Sequence, residues 1–436
     1  MVGKEVSFRA SGGQTRAVSV DLPESNVIML VGILPMATAR ETCRKIAYYC
    51  ASTRLGAAER GLIDLVGSLR EQTLGWYRPW FILPRAEGPL VDRLVELELP
   101  HTILPMPKGL VGVNRQGPVR SLLTGALAWP ALRGYMTRLE ALVEDREPAL
   151  IHSTGLRCHL LAARLGSGVP VLWHLSDYVG DEPARVLLRR LRKGARVHAI
   201  TGSYALALAL DPAEENPVVV FSGVDPNRFK PGSDPVFRSR FDVGEEVPII
   251  GVVGLPRRGM GLRHFLEMAA RLPRHDIDAR FVVLPDEQDE LSVDDEALFQ
   301  LEKMATELGI GSLVEFVDGQ EDEARALQGL DLLVSPATNP NSSGRIVVEA
   351  LACAVPVVAS AIGGVLDIVE DRVCGRLVPP EDVDTLTRAV AEMIEDEELR
   401  SGCVAAGRAR AIERFGVDRF VGSVVRAYDR ILGPGE

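Results

Sequence analysis

From residue 44 onward the chain alternates between short runs rich in Val, Ile and Leu and longer stretches whose apolar residues recur at helical spacing. Runs that are apolar throughout predict strands buried on both faces. Separated by amphipathic helices, such strands predict a parallel sheet with helices on both sides. The first set of predicted strands covers residues 46–50, 80–84, 149–152, 171–174, 197–201 and 217–221. The second covers 248–254, 280–284, 313–317, 331–335 and 356–360. Between them "SGVDPNRFKPGSDP" (222–235) is dense in Gly, Pro, Asn, Ser and Asp, the chemistry of turns and linkers.

Two sets of strands predict two Rossmann-like α/β domains in series, and 436 residues are too many for one hydrophobic core. The expected bounds are an N-terminal extension over 1–43, a first domain over 44–230, a second over 231–415 and a terminal helix over 416–436. Sheets of this kind bind ligands at the carboxyl ends of their strands, so the expected site is the cleft between the domains.

Composition narrows the function classes. A chain 46% hydrophobic and 25% charged is ordinary for a globular protein, and a formal net charge of −11 argues against a general nucleic-acid binder. The apolar run "VIMLVGILPMA" (27–37) is far shorter than the roughly 20 residues of a spanning helix, and no basic segment directly precedes it as in a signal peptide. Cys43, Cys50, Cys158, Cys353, Cys374 and Cys403 show no C-x-x-C spacing, which predicts buried thiols in a reducing cytoplasm.

Four stretches carry candidate chemistry. In "ASTRLGAAERGLIDLVGSLR" (51–70) a loop containing Gly56 leads into a helix with Leu62, Ile63, Leu65, Val66 and Leu69 on one face. Such a start is either an anion site, with free N–H groups and a positive dipole end, or an ordinary βα turn. His174 closes the strand of "VLWHLSDY" (171–178), where these sheets set active-site side chains; a satisfied structural histidine is the alternative. "VGLPRRGMGLRHFL" (253–266) puts Arg257 and Arg258 in a strand-to-helix loop, suited to a diphosphate or simply solvated. In "PNSSGRIVVEALACAVPVV" (340–358) Gly344 lets a ligand approach the backbone at a helix start. Glu349, in the apolar run that follows, is placed to accept two ribose hydroxyls or else snorkels from a half-buried helix.

Together with "RLGAAER" (54–60), "SGVDPNRFKP" (222–231) and "CGRLVPPED" (374–382), the stretch "PNSSGRIVVEALACAVPVVASAIGGVLDIVED" (340–371) resembles the retaining GT-B glycosyltransferases with a Glu-x7-Glu motif, of the glycosyltransferase family four type. The resemblance covers about residues 44–432. It implies a GT-B fold, with two Rossmann-like domains facing across a cleft and the helix over 417–433 crossing back to the N-domain. It also implies a retaining hexosyltransferase that moves a sugar from a nucleoside-diphosphate sugar, a co-substrate rather than a cofactor, to a hydroxyl of a glycan, glycolipid or small molecule. Glu349 would hold the ribose, the 343–346 backbone (Ser343, Gly344, Arg345, Ile346) with Arg257 and Arg258 the diphosphate, and Gly56 the N-domain glycine loop. His174 would stand beside the transferring sugar, and Asn341 and Ser342 would cradle it. No metal is implied, because arginines and helix dipoles neutralise the leaving diphosphate.

Departures from the family's pattern fall on the sugar side. Its first acid, eight residues before Glu349, is Asn341 here; its Phe is Ser343, a Gly is Ala354, and Leu255 replaces an arginine. Asparagine keeps hydrogen bonds to sugar hydroxyls and cannot offer charge to an oxocarbenium ion. These changes leave a catalytically impaired nucleotide-sugar binding protein as an alternative, and another GT-B enzyme such as an epimerase or phosphorylase as a more distant one. The acceptor is unidentified. Basic stretches at 108–143, with Arg115, Arg120, Arg133 and Arg138, and at 184–200 offer two readings. One is peripheral contact of the N-domain with anionic lipid at the inner face of the membrane; the other is solvated helix faces.

Overall fold

The computed structural model describes residues 5–9, 15–19, 43–73, 75–107, 129–176, 182–194, 196–213, 218–241, 243–244, 246–254, 259–285, 295–317, 322–340 and 344–433. Met1–Thr42 and Cys43–Glu436 are separate compact units. In the first, β1 (Glu5–Arg9) and β2 (Thr15–Ser19) form an antiparallel hairpin with Glu5 opposite Ser19. The apolar run over 27–37 lies outside the described residues.

The second unit opens with β3 (Arg44–Cys50), α1 (Ala57–Gln72), β4 (Tyr77–Leu83), α2 (Pro89–Glu96), β5 (His101–Ile103) and α3 (Trp129–Arg146). It continues with β6 (Leu150–Thr154), α4 (Leu156–Ala162), β7 (Val171–Leu175), α5 (Glu182–Gly194), β8 (Val197–Thr201) and α6 (Tyr204–Leu210). The following half comprises α7 (Pro235–Arg238), β9 (Ile249–Val253), α8 (Leu262–Ala269), β10 (Arg280–Leu284), α9 (Asp295–Glu307), β11 (Val314–Phe316), α10 (Glu323–Gln328) and β12 (Leu332–Ser335). It ends with α11 (Arg345–Ala352), β13 (Val357–Ser360), α12 (Val365–Ile368), β14 (Arg376–Val378), α13 (Val383–Glu395), α14 (Glu397–Phe415) and α15 (Val417–Leu432).

Each half holds one parallel sheet, ordered β5-β4-β3-β6-β7-β8 and β11-β10-β9-β12-β13-β14. Both therefore reverse direction beside their first strand, between β3 and β6 and between β9 and β12, and crevices open at such switch points. Strand alternation divides the first core cleanly. Ile46, Tyr48 and Cys50 pack on one face of β3 with α1, and Ala47 and Tyr49 on the other with α3 and α4. The α1 face is the one the sequence shows: Leu62, Leu65, Val66 and Leu69 are buried.

α15 belongs to this first core although it ends the chain. Its Phe420, Val421, Val424 and Tyr428 are buried with the α1 residues, each such side chain contributing about 1.5–3 kcal/mol. The linker directs it there: Val224 N–H donates to Phe415 O (2.8 Å), and Val417 N–H to Val224 O (3.0 Å). A Cβ on Gly223 would lie 2.8 Å from Val417 Cα, so this approach needs glycine.

Two expectations change. Of the predicted strand over 217–221, the described residues 218–221 form no ladder strand; only Val219 among them makes a bridge, to Thr201. β5 and β14 are strands with no apolar run behind them, each three residues long at or near a sheet edge. The helix after Arg257 and Arg258 begins at Leu262, capped by Gly261 in the left-handed region (φ 75°). No described helix is long and apolar enough to cross a membrane, and all six cysteines are thiols.

Candidate functional site

The second half brings two loops together at its switch point. Gly254 follows β9, and the carbonyl of Gly259 accepts from Thr338 N–H (2.9 Å) in the loop after β12. Gly261 packs so closely on that loop that a Cβ would lie 1.7 Å from Pro336 O. Arg257 and Arg258 fall between these anchored points, and Asn341, Ser342 and Ser343 between Pro340 and Gly344; all five lie outside the described residues.

Gly344 caps α11 at φ 56°, a left-handed conformation, and a Cβ there would meet Ile368 Cδ1 at 2.5 Å. The amides of Arg345 and Ile346 then open the helix as donors without intrahelical partners. One and a half turns on, Glu349 is fully buried. Arg345 Nε donates to its Oε1 at 2.5 Å, an i,i+4 pair in which both side chains are almost wholly buried. Among the described residues, buried Oε2 has no hydrogen-bond partner.

Arg345 also reaches across the molecule. Its Nη2 lies 3.7 Å from Asp64 Oδ2 on α1 of the first half. Burial opposes the Arg345 charge, but Glu349 and Asp64 together hold the guanidinium above its ordinary value. Asp64 is raised by burial, which Arg345 opposes and Glu349 reinforces. A second cross-link, Arg60 to Glu323 at 3.2 Å, joins α1 to α10, and Tyr204 N–H donates to Asp367 Oδ2 at 2.9 Å.

On the first half's side Gly56 sits in the loop between β3 and α1, its carbonyl accepting from Arg60 N–H (2.9 Å). Gly88, which sequence reading missed, supports that loop: a Cβ there would lie 2.7 Å from Thr53 O. His174 is next to last in β7 and 7% exposed. Its Nδ1 is 3.2 Å from Nε2 of fully buried His152, whose Nδ1 is 2.6 Å from the Tyr428 hydroxyl on α15; that hydroxyl is 3.0 Å from the Tyr48 hydroxyl. Phe420, also on α15, lies beside the His174 ring (6.2 Å between centroids). Burial pushes His174 down to about 4 and His159 to about 3, the latter helped by His174. Burial, with His174 and His159 behind it, holds His152 well below the usual histidine range. All three imidazoles are neutral near pH 7.

The structure therefore brings Gly344, Arg345, Ile346 and Glu349 into one corner, joins that corner to α1, and sets His174 at the end of a buried polar chain. The chain and the Asp64 link were not found in the sequence, because their partners are far apart along it. The basic stretch at 184–200 becomes α5 and β8, and Arg189 and Arg192 of α5 turn inward, to Leu210 O (2.6 Å) and Asp211 (3.9 Å). Of the other stretch, 108–128 lies outside the described residues. Among the described residues no His, Cys, Asp and Glu cluster could hold a metal ion.

Residues 235–410 match the family model described as glycosyl transferases group 1. The chain is 33% identical over 270 residues to a D-inositol 3-phosphate glycosyltransferase of Geodermatophilus obscurus, covering 57% of each. It is 29% identical over 250 residues to a 2-deoxystreptamine glucosyltransferase of Streptomyces kanamyceticus, covering 56% of this chain and 62% of that one. The matched part is thus less than two thirds of either relative. Among solved structures, Anabaena HepE in complex with UDP-glucose superposes with a TM-score of 0.73 at 21% identity, over 89% of this chain and all of that one. The architecture is GT-B, and the match to glycosyl transferases group 1 falls on its second half.

Proposed function

We propose that this protein is a retaining glycosyltransferase that takes a sugar from a nucleoside-diphosphate donor. One observation carries the reading: Glu349 is a fully buried carboxylate with one oxygen fixed by Arg345 and the other without a partner, beside a glycine-opened helix start. Leaving a buried acceptor unsatisfied costs about 1–3 kcal/mol, more for a charged group, and a ribose hydroxyl removes that cost. The group 1 match over this half, and a neighbour of the same fold that binds UDP-glucose, support the same assignment.

In this reading the Arg345 and Ile346 amides and Arg257 and Arg258 receive the diphosphate. Placed donors and guanidinium groups stabilise the charge that develops on the departing phosphate oxygen, so departure needs no metal. The acceptor hydroxyl attacks the anomeric carbon from the face the diphosphate leaves and passes its proton to the departing phosphate oxygen as the bond from carbon to that oxygen breaks, which retains configuration. Asn341 and Ser342 meet the donor sugar's hydroxyls, and His174 lies beside that sugar.

The test is turnover with proof of stereochemistry. UDP-, GDP- and ADP-sugars are offered with D-inositol 3-phosphate and 2-deoxystreptamine, the acceptor types named for the two relatives. Release of nucleoside diphosphate with an α-linked product from an α-linked donor is expected. An inverted anomer overturns the retaining assignment, and no release with any donor overturns the enzyme.

A further inference from the structure

Of the buried chain Tyr48, Tyr428, His152, His174, only His174 has a place in the function proposed so far, and the other three members are fully buried. A neutral imidazole carries one donor and one acceptor, and each phenol has one proton to give. Two proton arrangements therefore exist, running in opposite directions. In one, Tyr48 donates to Tyr428, Tyr428 to His152 Nδ1, and His152 Nε2–H to His174 Nδ1. Every proton inside the chain then has an acceptor, and the last donor, His174 Nε2–H, falls at the one member that keeps some exposure.

In the reverse arrangement His174 Nδ1–H donates to His152, His152 to Tyr428, and Tyr428 to Tyr48. Among the described residues the Tyr48 proton then has no acceptor, because Tyr428 is the partner of the Tyr48 hydroxyl and is already its donor. A stranded buried hydroxyl is disfavoured on the order of tenfold or more. The bond lengths agree with the first direction. The shortest, 2.6 Å, joins a phenol to an imidazole nitrogen, where the better acid meets the better base.

We propose that Tyr428 and His152 are positioning residues that fix His174 as the Nε2–H tautomer, so that it presents a hydrogen-bond donor to an oxygen of the transferring sugar and does not serve as a general base. The catalytic part of this inference rests on the glycosyltransferase reading; the tautomer does not. Tyr428 lies on α15, the helix that starts at the linker contact of Val224 with Phe415 and Val417, so the helix joining the two halves also orients the histidine.

The experiment is 15N spectroscopy of the full chain labelled at its seven histidines, with His174 assigned by His174→Gln. The protonated nitrogen of His174 is expected to be Nε2. An Nδ1–H tautomer in the wild type overturns the proposal whether or not the protein has activity. Tyr428→Phe is expected to give a mixture of tautomers and to lower kcat about tenfold with the donor KM within about twofold, at circular dichroism equal to wild type. His152→Gln, which keeps a donor for His174 Nδ1, is expected to retain Nε2–H and most of kcat, whereas His152→Leu loses both. An unchanged tautomer in folded Tyr428→Phe, or equal loss in the two His152 variants, overturns the relay. If no donor turns over, the glycosyltransferase reading fails while the spectra still decide the relay.

Discussion

Removing Arg345 separates a buried charge from its counter-charge, and the size of the effect follows from burial. In Arg345→Met the Glu349 carboxylate, 1% exposed at its side chain, keeps no cation at 2.5 Å. Breaking a buried pair on one side costs about 3–5 kcal/mol, since the remaining charge is desolvated and uncompensated. Replacing both partners, in Arg345→Met with Glu349→Met, removes the desolvation with the attraction and is expected to restore or exceed wild-type stability, by ~0–4 kcal/mol. The assay is urea unfolding of the four corners of this cycle, followed by calorimetry with UDP-glucose. The double variant should be stable and, if Glu349 is the ribose acceptor proposed, bind nucleotide roughly 10- to 150-fold more weakly, because a charge-assisted hydrogen bond is worth ~1.5–3 kcal/mol. A double variant as unstable as Arg345→Met would refute the compensation argument, and one that binds as wild type does would refute the ribose assignment.

Four further outcomes are expected. The neutral histidines His152, His159 and His174 take up protons on unfolding below about pH 6.5, so acid favours the unfolded chain by ~1 kcal/mol per pH unit for each until the folded values are reached, near 4 for His174 and 3 for His159. A urea midpoint that stays flat between pH 6.5 and 5 would contradict this. Ala354 is held at φ 61°, where its family counterpart is glycine, so Ala354→Gly should stabilise by up to about 1 kcal/mol in thermal unfolding; a loss would show that the Cβ packs usefully. Gly261→Ala forces a Cβ onto Pro336 O at φ 75° and should cost ~3 kcal/mol or more, together with nucleotide affinity, whereas unchanged calorimetric binding would separate that loop from the site. Asn341→Glu should raise turnover or widen the set of donors used, and a donor panel identical to wild type would show that the asparagine is no specificity device.

The strands of both sheets and the α1 face were legible because continuous apolar runs and helical spacing are local signals. β5 and β14 were not, since "HTI" and "RLV" are three residues each, all half-buried but Val378, whose partners, and not their composition, make them strands. At the site, the glycine-opened start of α11 was readable from Gly344 alone. The engagement of the Arg345 side chain by Glu349 was also available, as an i,i+4 pair of opposite charge, and was missed because Arg345 was read only for its backbone. The relay was beyond reach: His152 and Tyr428 are 276 residues apart, and only the return of α15 to the first core brings them to 2.6 Å.

Of the two sequence readings of Glu349, burial removes the snorkelling one. A snorkelling acid keeps its carboxylate in water, and Glu349 has no exposure at all. A charge so placed is expensive, and an apolar helix of the same shape would be more stable without it. Its geometry is what a ligand group requires. Arg345 holds Oε1 and thereby the rotamer, leaving Oε2 fixed and open, so a nucleotide that binds there need not order the side chain. Arg345 also lies near Asp64, which makes the same guanidinium part of the contact between the halves. Any ligand that shifts Glu349 therefore acts on the Arg345–Asp64 contact as well, and Asp64→Asn should change nucleotide affinity although it lies outside the pocket corner.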